Sequence, residues 1–415
     1  MNHKKFGPYL KWAALALAMT VTGAQAQTNL EFIQWWEPEL PSGALRGIMN
    51  DFEALNPDIK VTLISGPYAN TRDQVVVGAA TGTLSDVVGL DGAWVNDLAK
   101  QGAIAPLDEL MKASNFDANE VAAIVKVDGK SYMFPVASFV YPVFMNLDLL
   151  KAAGINDMPQ TRTAFAAAAK KLTDASKNQY GWVLPLSLEA PNGIQNDVMS
   201  WAWASGQSML KDGKPDLTND AVVGTLKFVK AMYDDGVISP GTFSKKEQDK
   251  VEEFVNGRVA MMVDSLAHIN LIRERNPKLN FGITAVPAVA GYEGKRGLPY
   301  ASWGIGVAEN SKHKAEAFKL VSYLMSKDVN AKLVSIANAF PGNVNAKPDF
   351  VASDKLFATA FDIFQKGYLA NEFVGLPVAE ELMRQLDEEV QAMLEGKESP
   401  EEAAQKAQAK WETKF

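Results

Sequence analysis

Short strand-like and helix-like patterns alternate along this chain from Leu30 onward, and this order limits the folds available to it. "LEFIQWW" and "IKVTLIS" are typical of short strands, and apolar residues recur at helical spacing between them, after Ser42 as a predicted cap. "DVVGL" is typical of a buried strand, and a helix through Leu98 follows it. This strand–helix–strand–helix–strand order predicts a parallel sheet with crossover helices.

A second series of alternating patterns begins near Met133. "RVAMMV", "FGITAV" and "WGIGVA" are typical of strands. Ser244 and Glu247 predict a capping box at one helix start, and Ser399 with Glu402 predicts another. Because no flexible linker separates the two series, the sequence predicts two closely coupled α/β domains.

The N-terminal segment differs from the rest of the chain. "MNHKKFGPYLK" is basic, the apolar run "WAALALAMTVTG" follows it, and Ala24 and Ala26 supply small residues in "AQA". This pattern predicts a secretory signal peptide over residues 1–26, cleaved after Ala26. The alternative is an uncleaved membrane anchor, but the run is shorter than the ~20 residues that a membrane span needs.

Composition and charge restrict the class of protein. The chain of 415 residues is 47% hydrophobic and 22% charged, which is typical of a soluble globular protein. Its formal net charge is −8, so nucleic acid is a poor candidate partner. The sequence contains no cysteine, which excludes disulfides, thiolate sites and a lipid-modified cysteine. We therefore expect a protein that is free in the periplasm, without a lipid anchor.

The sequence gives little support for catalysis or for a cofactor. There is no G-x-S-x-G motif, and "GIG" at residues 304–306 does not continue into G-x-G-x-x-G. His268 and His313 are far apart in the sequence and lie in no metal-ligand spacing. We expect no catalytic residue, no metal and no cofactor.

Tryptophans and acidic residues follow several predicted strands. Trp35 and Trp36 are adjacent, and on a strand they would point to opposite faces. In open α/β sheets, ligands bind outside the carboxyl ends of the strands, where indole faces and nearby acceptors would suit a sugar. Ordinary core packing is the alternative for each tryptophan. The candidates at this stage are Trp35, Trp36, Glu37, Glu39, Asn70, Asp91, Trp94, Trp201, Trp203, Asp264 and Trp303.

Five segments carry a resemblance to a known family. They are "SGALRGIMNDFEALNPDIKV", "SDVVGLDGAWVNDLAKQGAIAPLDEL", "VDGKSYMFPVASFVYPVFMNLDLLKAAGI", "MPQTRTAFAAAAKKLT" and "FVNGRVAMMVDS". In their order and spacing they resemble the carbohydrate-specific extracellular solute-binding proteins of ABC importers, the family that includes maltose-binding protein. Arg162 and Met145 depart from the aromatic residues usual at these places, and Ser265 stands where a glycine is common.

The resemblance implies an α/β fold of the two-lobed periplasmic-binding-protein type. Each lobe would be a mainly parallel sheet flanked by helices, with a hinge between the lobes. Lobe one would comprise residues 27–137 plus 290–328, and lobe two residues 138–289 plus 329–415. A monomer without enzymatic activity would hold a mono- or oligosaccharide in the interlobe cleft and deliver it to a membrane permease.

The resemblance also implies which residues contact the sugar. Lobe one would supply the loops after its first and third strands, and the first crossover would supply a serine and a phenylalanine. Lobe two would supply a tryptophan, Asp264 and Ser265, and the strand that returns to lobe one would supply Ser302 and Trp303. The implied set is Trp35, Trp36, Glu37, Glu39, Tyr68, Asn70, Asp91, Trp94, Ser138, Phe139, Trp201, Trp203, Asp264, Ser265, Ser302, Trp303 and Asn343.

Three alternatives stay open at this point. An exported glycoside hydrolase would pair two carboxyl groups, such as Glu37 with Asp264 or Asp91 with Glu189. An anionic sugar or sugar acid would need an arginine clamp, for which the candidates are Arg72, Arg162, Arg258 and Arg296. A sensor role for chemotaxis would use the same fold. The sequence does not determine the sugar, its size, charge or anomeric form, or the permease.

Overall fold

The computed structural model describes residues 27–415, so the predicted signal peptide lies outside the described residues. The strands are β1 (Thr28–Gln34), β2 (Ile59–Ser65), β3 (Val87–Leu90), β4 (Val125–Val127), β5 (Lys130–Val140), β6 (Val143–Asn146), β7 (Tyr180–Trp182), β8 (Leu210–Lys211), β9 (Lys214–Pro215), β10 (Val259–Val263), β11 (Phe281–Thr284), β12 (Gly297–Leu298), β13 (Tyr300–Val307), β14 (Phe340–Pro341) and β15 (Tyr368–Leu369).

The α-helices alternate with these strands. They are α1 (Ala44–Leu55), α2 (Tyr68–Thr81), α3 (Val95–Lys100), α4 (Asp108–Ser114), α5 (Leu147–Ala152), α6 (Arg162–Leu172), α7 (Ser200–Trp203), α8 (Asp220–Asp234), α9 (Glu247–Val255), α10 (Ile269–Arg275), α11 (Lys314–Met325), α12 (Lys327–Ala337), α13 (Phe350–Ser353), α14 (Lys355–Lys366), α15 (Ala379–Leu394) and α16 (Pro400–Glu412). Within the described residues, none of the helices has the length and hydropathy that a membrane crossing requires.

The first lobe is built on a seven-stranded sheet. Its strand order is β14-β5-β13-β3-β1-β2, with β4 paired to β5. The helix α1 covers part of this sheet because Leu45, Ile48, Met49 and Phe52 recur on one face, and all four are buried. The strand β3 is buried along its whole length, as expected for a strand covered on both faces.

The second lobe is built on a four-stranded sheet of order β11-β6-β10-β7. The helices α6, α9 and α10 pack around this sheet, and α8, α15 and α16 form a further helical layer behind α6. Only Tyr141 and Pro142 separate β5 of the first sheet from β6 of the second. The chain therefore crosses between two α/β units over a very short connection, as the absence of a linker predicts.

The pairing within each sheet is mixed, in contrast to the expectation of mainly parallel sheets. In the first sheet β1 is parallel to β2 and β3, but β13 is antiparallel to β3 and β5. In the second sheet only β10 and β7 are parallel. The strand β13 follows the second-lobe segment, so it enters the first sheet from the other lobe and runs against β3 and β5. The strand β5 has the same direction as β3 and leaves the first sheet toward β6.

Of the three helix caps predicted above, one is confirmed and two are wrong. Ser399 and Glu402 form the predicted capping box at α16. Ser42 does not cap α1, because Gly43 occupies the N-cap with a left-handed φ of 77°. Ser244 closes a preceding 3₁₀ turn on Gly241 instead of capping α9.

The division of the chain into lobes stays a prediction. The strand β5 crosses the proposed boundary between residues 137 and 138, and β13 lies within the proposed lobe-one segment 290–328. The helix α12 contacts β5, and β14 pairs with β5 at Phe340 and Pro341. These contacts favour a proposal in which lobe one extends beyond residue 328 to about residue 341, before α14 packs against β11.

Candidate ligand-binding cleft

Three segments of the first sheet bring the predicted aromatic and acidic residues to one edge. Trp35 and Trp36 follow β1, and Asp91 follows β3 directly. Because β13 runs antiparallel to β3 and Gly304 pairs with Leu90, Trp303 lies at the edge where Asp91 begins the next loop. These side chains surround the carboxyl ends of β1 and β3, where open α/β sheets bind ligands.

The adjacent Trp35 and Trp36 belong to two different aromatic groups. The Trp35 ring lies 5.3 Å from that of Tyr68 and 5.4 Å from that of Trp94, measured between centroids. Trp36 instead stacks on Trp303 at 5.4 Å with an interplanar angle of 9°. Each indole therefore has its own partners, and neither needs to share one core with the other.

Trp303 connects its aromatic group to a carboxylate. Its ring contacts Phe139 at 4.9 Å, and its side chain lies beside the Glu39 carboxyl and acts to lower the pKa of that group. Trp36 lies behind it and is fully buried, and within residues 27–415 its Nε1 has no hydrogen-bond partner. Trp36 is thus part of the wall, whereas Trp303 lies beside Glu39.

Asp91 is held by two neighbours of the same lobe. The Tyr68 hydroxyl donates to its Oδ2 over 3.2 Å, and the Ala93 amide donates to its Oδ1 over 2.9 Å. Burial raises the pKa of Asp91 to about 6, against the opposing effect of these hydrogen bonds, and the nearby Glu380 raises it further. Because these two donors do not offset the cost of ionising Asp91, a hydrogen-bond donor on a ligand would stabilise its carboxylate further.

Glu39 faces the other lobe. Desolvation raises the pKa of its carboxyl to about 7, while His268 of the second lobe and the Trp303 hydrogen bond act in the opposite direction. Glu39 is nevertheless exposed to water. A carboxylate can be accessible to water and still be poorly solvated when protein surrounds the space that it faces. We therefore attribute the raised pKa of Glu39 to enclosure between the lobes.

The same combination occurs at four other residues. Asp91, Tyr141, His268 and Tyr300 are each partly accessible to water, and burial is the largest influence on the pKa of each. They belong to the first lobe, to the two crossovers and to the second lobe. Together with Glu39, they line an enclosed, water-accessible space between the lobes, which we call the cleft.

In the second lobe, the buried Asp264 contacts His268, which lines the cleft. Asp264 is fully buried and its Oδ2 lies 2.8 Å from His268 Nδ1. Asp264 and Glu247 oppose the desolvation of His268, and the pKa of His268 is raised. Ser265 is buried and uses its hydroxyl to accept from the Ala267 amide, which starts the turn that carries His268.

A buried lysine joins three carboxylates beneath this wall. Lys250 Nζ lies 2.8 Å from Glu247, 3.0 Å from Asp197 and 3.9 Å from Asp264, and it donates to the Val263 carbonyl over 2.7 Å. These carboxylates raise the pKa of Lys250 despite its complete burial. The lysine therefore stays charged and holds Glu247 and Asp264 beneath the wall of the second lobe.

Sequence reasoning missed several of these residues. Tyr141 lies at the crossover, close enough to Glu39, Asp91, Glu247 and Asp264 for all four to raise its pKa. The dipeptide Tyr–Pro at the predicted crossover could have indicated it. His268 was set aside as an isolated histidine, although its spacing of four residues from Asp264 predicts contact in a helix.

A π-helical turn over Ile194–Met199 was also missed. It places polar side chains that are all buried: Asn196 donates to Glu247 over 3.2 Å and Asp197 pairs with Lys250. π-Helical turns occur frequently at functional sites. The pattern "VMSWAWASG", which overlaps the end of this turn, is typical of an ordinary helix, and its Trp201 and Trp203 are among the predicted ligand contacts.

The structure places those two tryptophans away from the cleft wall. Trp201 is fully buried in the second lobe, 4.9 Å from Phe165, 4.8 Å from Phe228 and 5.6 Å from Trp182. Trp203 is buried and donates to Glu372 over 2.7 Å. The alternative of core packing fits the surroundings of both residues, because an apolar helix face packs inward.

The remaining predicted residues have diverse surroundings. Ser138 pairs with Ser302 across β5 and β13, and both are buried. Asn343 is buried and bonds to Glu120, Met325 and Asn330 within the first lobe. Glu37 accepts from Ser65 at the end of β2, and Asn70 is exposed on α2. Their roles in ligand binding stay predictions.

The four arginines of the anionic alternative all have protein partners. Arg72 Nε donates to Glu380 over 2.8 Å, and a second nitrogen of its guanidinium also binds this carboxylate. Arg162 is buried against Trp201 and Thr225. Arg258 pairs with Glu253, and Arg296 donates to backbone carbonyls.

Two cavities lie outside the cleft. One of about 400 Å³ is lined by β1, α2 and the start of β3, including Ile33 and Val77, and one of about 510 Å³ lies near Tyr233 and Phe243. Both are open to the surface and neither contains the aromatic and acidic residues described above. The chemistry of the cleft, rather than cavity size, therefore identifies it as the candidate site.

Comparison with known sequences decides the family. The sequence description of bacterial extracellular solute-binding proteins matches residues 37–331, which is most of the chain. The protein belongs to this family. As a solute-binding protein it is a member of a family of binding proteins rather than of enzymes.

Individual relatives and solved structures agree with this assignment. A protein of Brucella abortus, described only as a binding protein, is 29% identical over 86% of each chain. A galactooligosaccharide-binding protein of Bacillus subtilis is 21% identical over 97% of this chain and 96% of that one. An ABC transporter solute-binding protein of Thermotoga lettingae, solved with α-D-tagatose, has a TM-score of 0.78 at 23% identity and covers 93% of this chain and 99% of that chain. The predicted two-lobed α/β fold is confirmed.

Proposed function

We propose that this solute-binding protein captures a sugar in the cleft and delivers it to the permease of an ABC importer. One observation carries the proposal: Glu39 and His268 approach each other from opposite lobes across a water-accessible space, with the Trp303 indole beside Glu39. Aromatic faces pack against the C–H face of a pyranose, and carboxylates accept hydrogen bonds from its hydroxyls. The named ligands of the Bacillus and Thermotoga proteins support a carbohydrate, either a monosaccharide or an oligosaccharide.

The ligand contacts that we propose come first from the first lobe. Trp35, Tyr68 and Trp94 form one aromatic group beside Asp91. Trp303 lies beside Glu39. From the second lobe we propose His268, oriented by Asp264, rather than the two buried tryptophans. Tyr141 at the crossover completes the set because it lies between the acids of both lobes.

The proposed mechanism is a cycle of opening and closure. A sugar that touches both walls binds the closed form more tightly than the open form, and it shifts the population only by that difference. Buried acids that lack a donor are costly, so the cleft should reject analogues that lack the matching hydroxyl. Because no bond of the ligand is formed or broken, we propose that the protein is not an enzyme.

We also propose that the protein acts as a monomer in the periplasm. The predicted signal peptide supports export, and the family is extracellular. The closed shape, in which both lobes contribute to one surface, is what the permease would recognise.

A thermal-shift screen of residues 27–415 tests the proposal. The panel would contain neutral mono-, di- and oligosaccharides, polyols, amino sugars and sugar acids. A ligand at 100 times its Kd stabilises the folded state by about 2.7 kcal/mol, which is readily measured. We expect at least one carbohydrate to raise the melting temperature of the wild type.

Variants localise the binding. In Asp91→Asn the carboxylate is replaced by an amide of the same shape, and we expect the shift to be lost or strongly reduced. Glu109→Gln removes an exposed carboxylate on α4, outside the cleft, and should leave the shift unchanged. Silence of the wild type across the whole panel would contradict a carbohydrate ligand, and hydrolysis of aryl glycosides by the pure protein would contradict a pure binding role.

A further inference from the structure

The cleft carries more negative than positive groups. Burial raises the pKa of the Tyr141 hydroxyl, and Glu39, Asp91, Glu247 and Asp264 each raise it further. Asp197 lies behind them and pairs with Lys250. The five carboxylates of this cluster face two cationic groups, Lys250 and His268.

Both cationic groups are engaged within the second lobe. Lys250 is fully buried, and its nitrogen is bound to Glu247, Asp197 and the Val263 carbonyl. His268 Nδ1 is bound to Asp264 at 2.8 Å. Little positive charge is therefore left for the first-lobe wall.

The first-lobe acids are held by neutral donors instead. Glu39 lies beside the neutral Trp303 side chain, and Asp91 accepts from the Tyr68 hydroxyl and the Ala93 amide. The charge that acts on Asp91 most directly is another carboxylate, Glu380. Neutral hydrogen bonds satisfy lone pairs, but they leave the negative charge uncompensated.

A second observation points to a missing donor. Asp264 is fully buried, and within the described residues its Oδ1 has no hydrogen-bond partner, with Lys250 Nζ 3.9 Å away. A buried carboxylate oxygen without a donor is unusual in folded proteins. The other oxygen of this carboxylate binds His268, which is partly accessible to water, so an ordered water beside the ligand would be a suitable donor for Oδ1.

We propose that the cleft selects its sugar by charge: it takes a sugar that bears a protonated amine in preference to the neutral parent sugar, and it excludes sugar acids. This inference rests on the proposed function. An ammonium group donates three hydrogen bonds and brings the compensating charge, whereas a hydroxyl donates one hydrogen bond and brings none. The faces of Trp303 and the Trp35 group add attraction for a cation.

The same surroundings disfavour an anionic ligand. A carboxylate or phosphate on the sugar would meet Glu39 and Asp91 as like charges in an enclosed space, which is costly. The arginines that could have formed a clamp are engaged elsewhere, with Arg72 bound to Glu380. A negative charge on the ligand is therefore disfavoured both by the acids of the cleft and by the engagement of the arginines with other groups.

The preference for an amine should depend on pH in a definite direction. Because enclosure raises the pKa of Glu39 to about 7, this carboxyl becomes neutral as the pH falls below 7. His268 gains positive charge in the same range, since its pKa is also raised, and Asp264, Glu247 and Lys250 are the groups that act on it. Both changes weaken the attraction for an ammonium at low pH.

Calorimetric titration with matched sugars tests the inference. The probes are glucose, glucosamine and glucuronate, and galactose, galactosamine and galacturonate, together with the amine and acid derivatives of any neutral sugar found in the thermal-shift screen. At pH 7.5 we expect an amino sugar to bind at least about tenfold more tightly than its neutral parent, and no binding of the acid. At pH 5.5 the ratio should fall at least about threefold.

The variant Glu39→Gln keeps the shape and the Trp303 contact but removes the charge. We expect it to bind the neutral parent and to lose most of the preference for the amine, whereas Glu109→Gln keeps the preference. Neutral and amine forms that bind equally well, or an acid that binds more tightly than its neutral parent, would overturn the charge selection and leave the proposed function intact. Absence of binding by every sugar would overturn both.

Discussion

At the scale of single residues, the pair Trp35 and Trp36 shows how the backbone resolves a conflict that a strand alone would create. Trp36 already has helical dihedral angles, with φ −74° and ψ −35°, because a 3₁₀ turn begins at Glu37. The two side chains are therefore not fixed on opposite faces of a continuing strand. One indole joins Tyr68 and Trp94, and the other stacks on Trp303.

A second single residue, Asp387, is an acid in the core of the second lobe. It is fully buried on α15, and within residues 27–415 its Oδ2 has no hydrogen-bond partner. Desolvation raises its pKa from 3.8 to about 7, opposed by the Gln391 hydrogen bond and by Arg384. The folded protein thus holds this proton more tightly than the unfolded chain does.

The pH dependence follows from this direction. For a carboxyl with a raised pKa in the folded state, the contribution to stability is complete below pH 3.8 and is lost as the pH rises to 7. We predict that Asp387→Asn, which can still accept from Gln391, raises the free energy of unfolding at pH 8 by up to about 4 kcal/mol. At pH 4 the gain should be small.

Urea unfolding of wild type and variant at pH 4 and pH 8 measures this effect. Glu381→Gln is the control, because Glu381 is an accessible acid on α15 that pairs with Lys414 and is not among the groups that shift the pKa of Asp387. An Asp387→Asn gain that is equal at both pH values would show that Asp387 does not titrate as its burial implies.

At the scale of elements, the start of α15 contains an unusual backbone conformation. Val378 precedes the helix with φ 42° and ψ 40°, a left-handed conformation that is unfavourable for a β-branched residue. Its amide donates to Asp97 Oδ1 of the first lobe over 3.0 Å, and Gly375 donates to the Gly92 carbonyl over 3.1 Å. The conformation is thus maintained by contacts between a second-lobe helix and the first lobe.

Two substitutions separate this strain from side-chain packing. Val378→Ala and Val378→Gly both remove the branched side chain, but only glycine removes the Cβ that disfavours positive φ. We predict that Val378→Gly has a free energy of unfolding about 1 kcal/mol higher than Val378→Ala, measured by urea unfolding. If alanine equals or exceeds glycine, the left-handed conformation carries no strain at this position.

Another element, the π-helical turn over Ile194–Met199, shows a limit of periodicity. A helical sequence pattern, such as "VMSWAWASG" at the end of this turn, does not reveal a local change in the number of residues per turn. In the structure, Asn196 and Asp197 reach Glu247 and Lys250, while Trp201 points into the apolar layer. The polar residues of this segment therefore contact the charged groups of the second lobe, while its tryptophans pack in the interior.

At the scale of the whole molecule, a few contacts join the two lobes outside the crossovers. Arg72 of α2 binds Glu380 of α15 through two nitrogens, and Trp94 donates to the same carboxylate over 3.3 Å. The contact adjoins the aromatic group beside Asp91. We infer that this ion pair stabilises the arrangement of the lobes seen here.

A double-mutant cycle tests that inference. We predict a coupling energy of about 1 kcal/mol between Arg72→Ala and Glu380→Ala, reduced in 0.5 M salt because both side chains are partly exposed. Lys100 and Asp128, an exposed pair within the first lobe, serve as the control and should show less coupling. Small-angle X-ray scattering of Glu380→Ala without ligand should give a larger radius of gyration than the wild type, and an unchanged radius would contradict the role in lobe arrangement.

The sequence by itself determined the features that depend on near neighbours. The alternation of strands and helices, the capping box at Ser399 and the location of Trp35 and Asp91 near strand ends could all be predicted. Each depends on side-chain periodicity, on backbone preference or on bonds within a few residues. The family resemblance added the two-lobed arrangement, which the comparisons confirm.

The tertiary structure alone decided the direction of the strands, the partners of charged groups and the desolvation of the acids. Arg72 finds its partner 308 residues away, and Glu39 meets His268 from the opposite lobe. Electrostatic free energy depends on the distance between groups and on the water excluded around them, and neither quantity is encoded in local spacing. For this reason the sequence named Glu39 and Asp91 as candidate acceptors, but only the fold gave them a common, enclosed and negatively charged cleft.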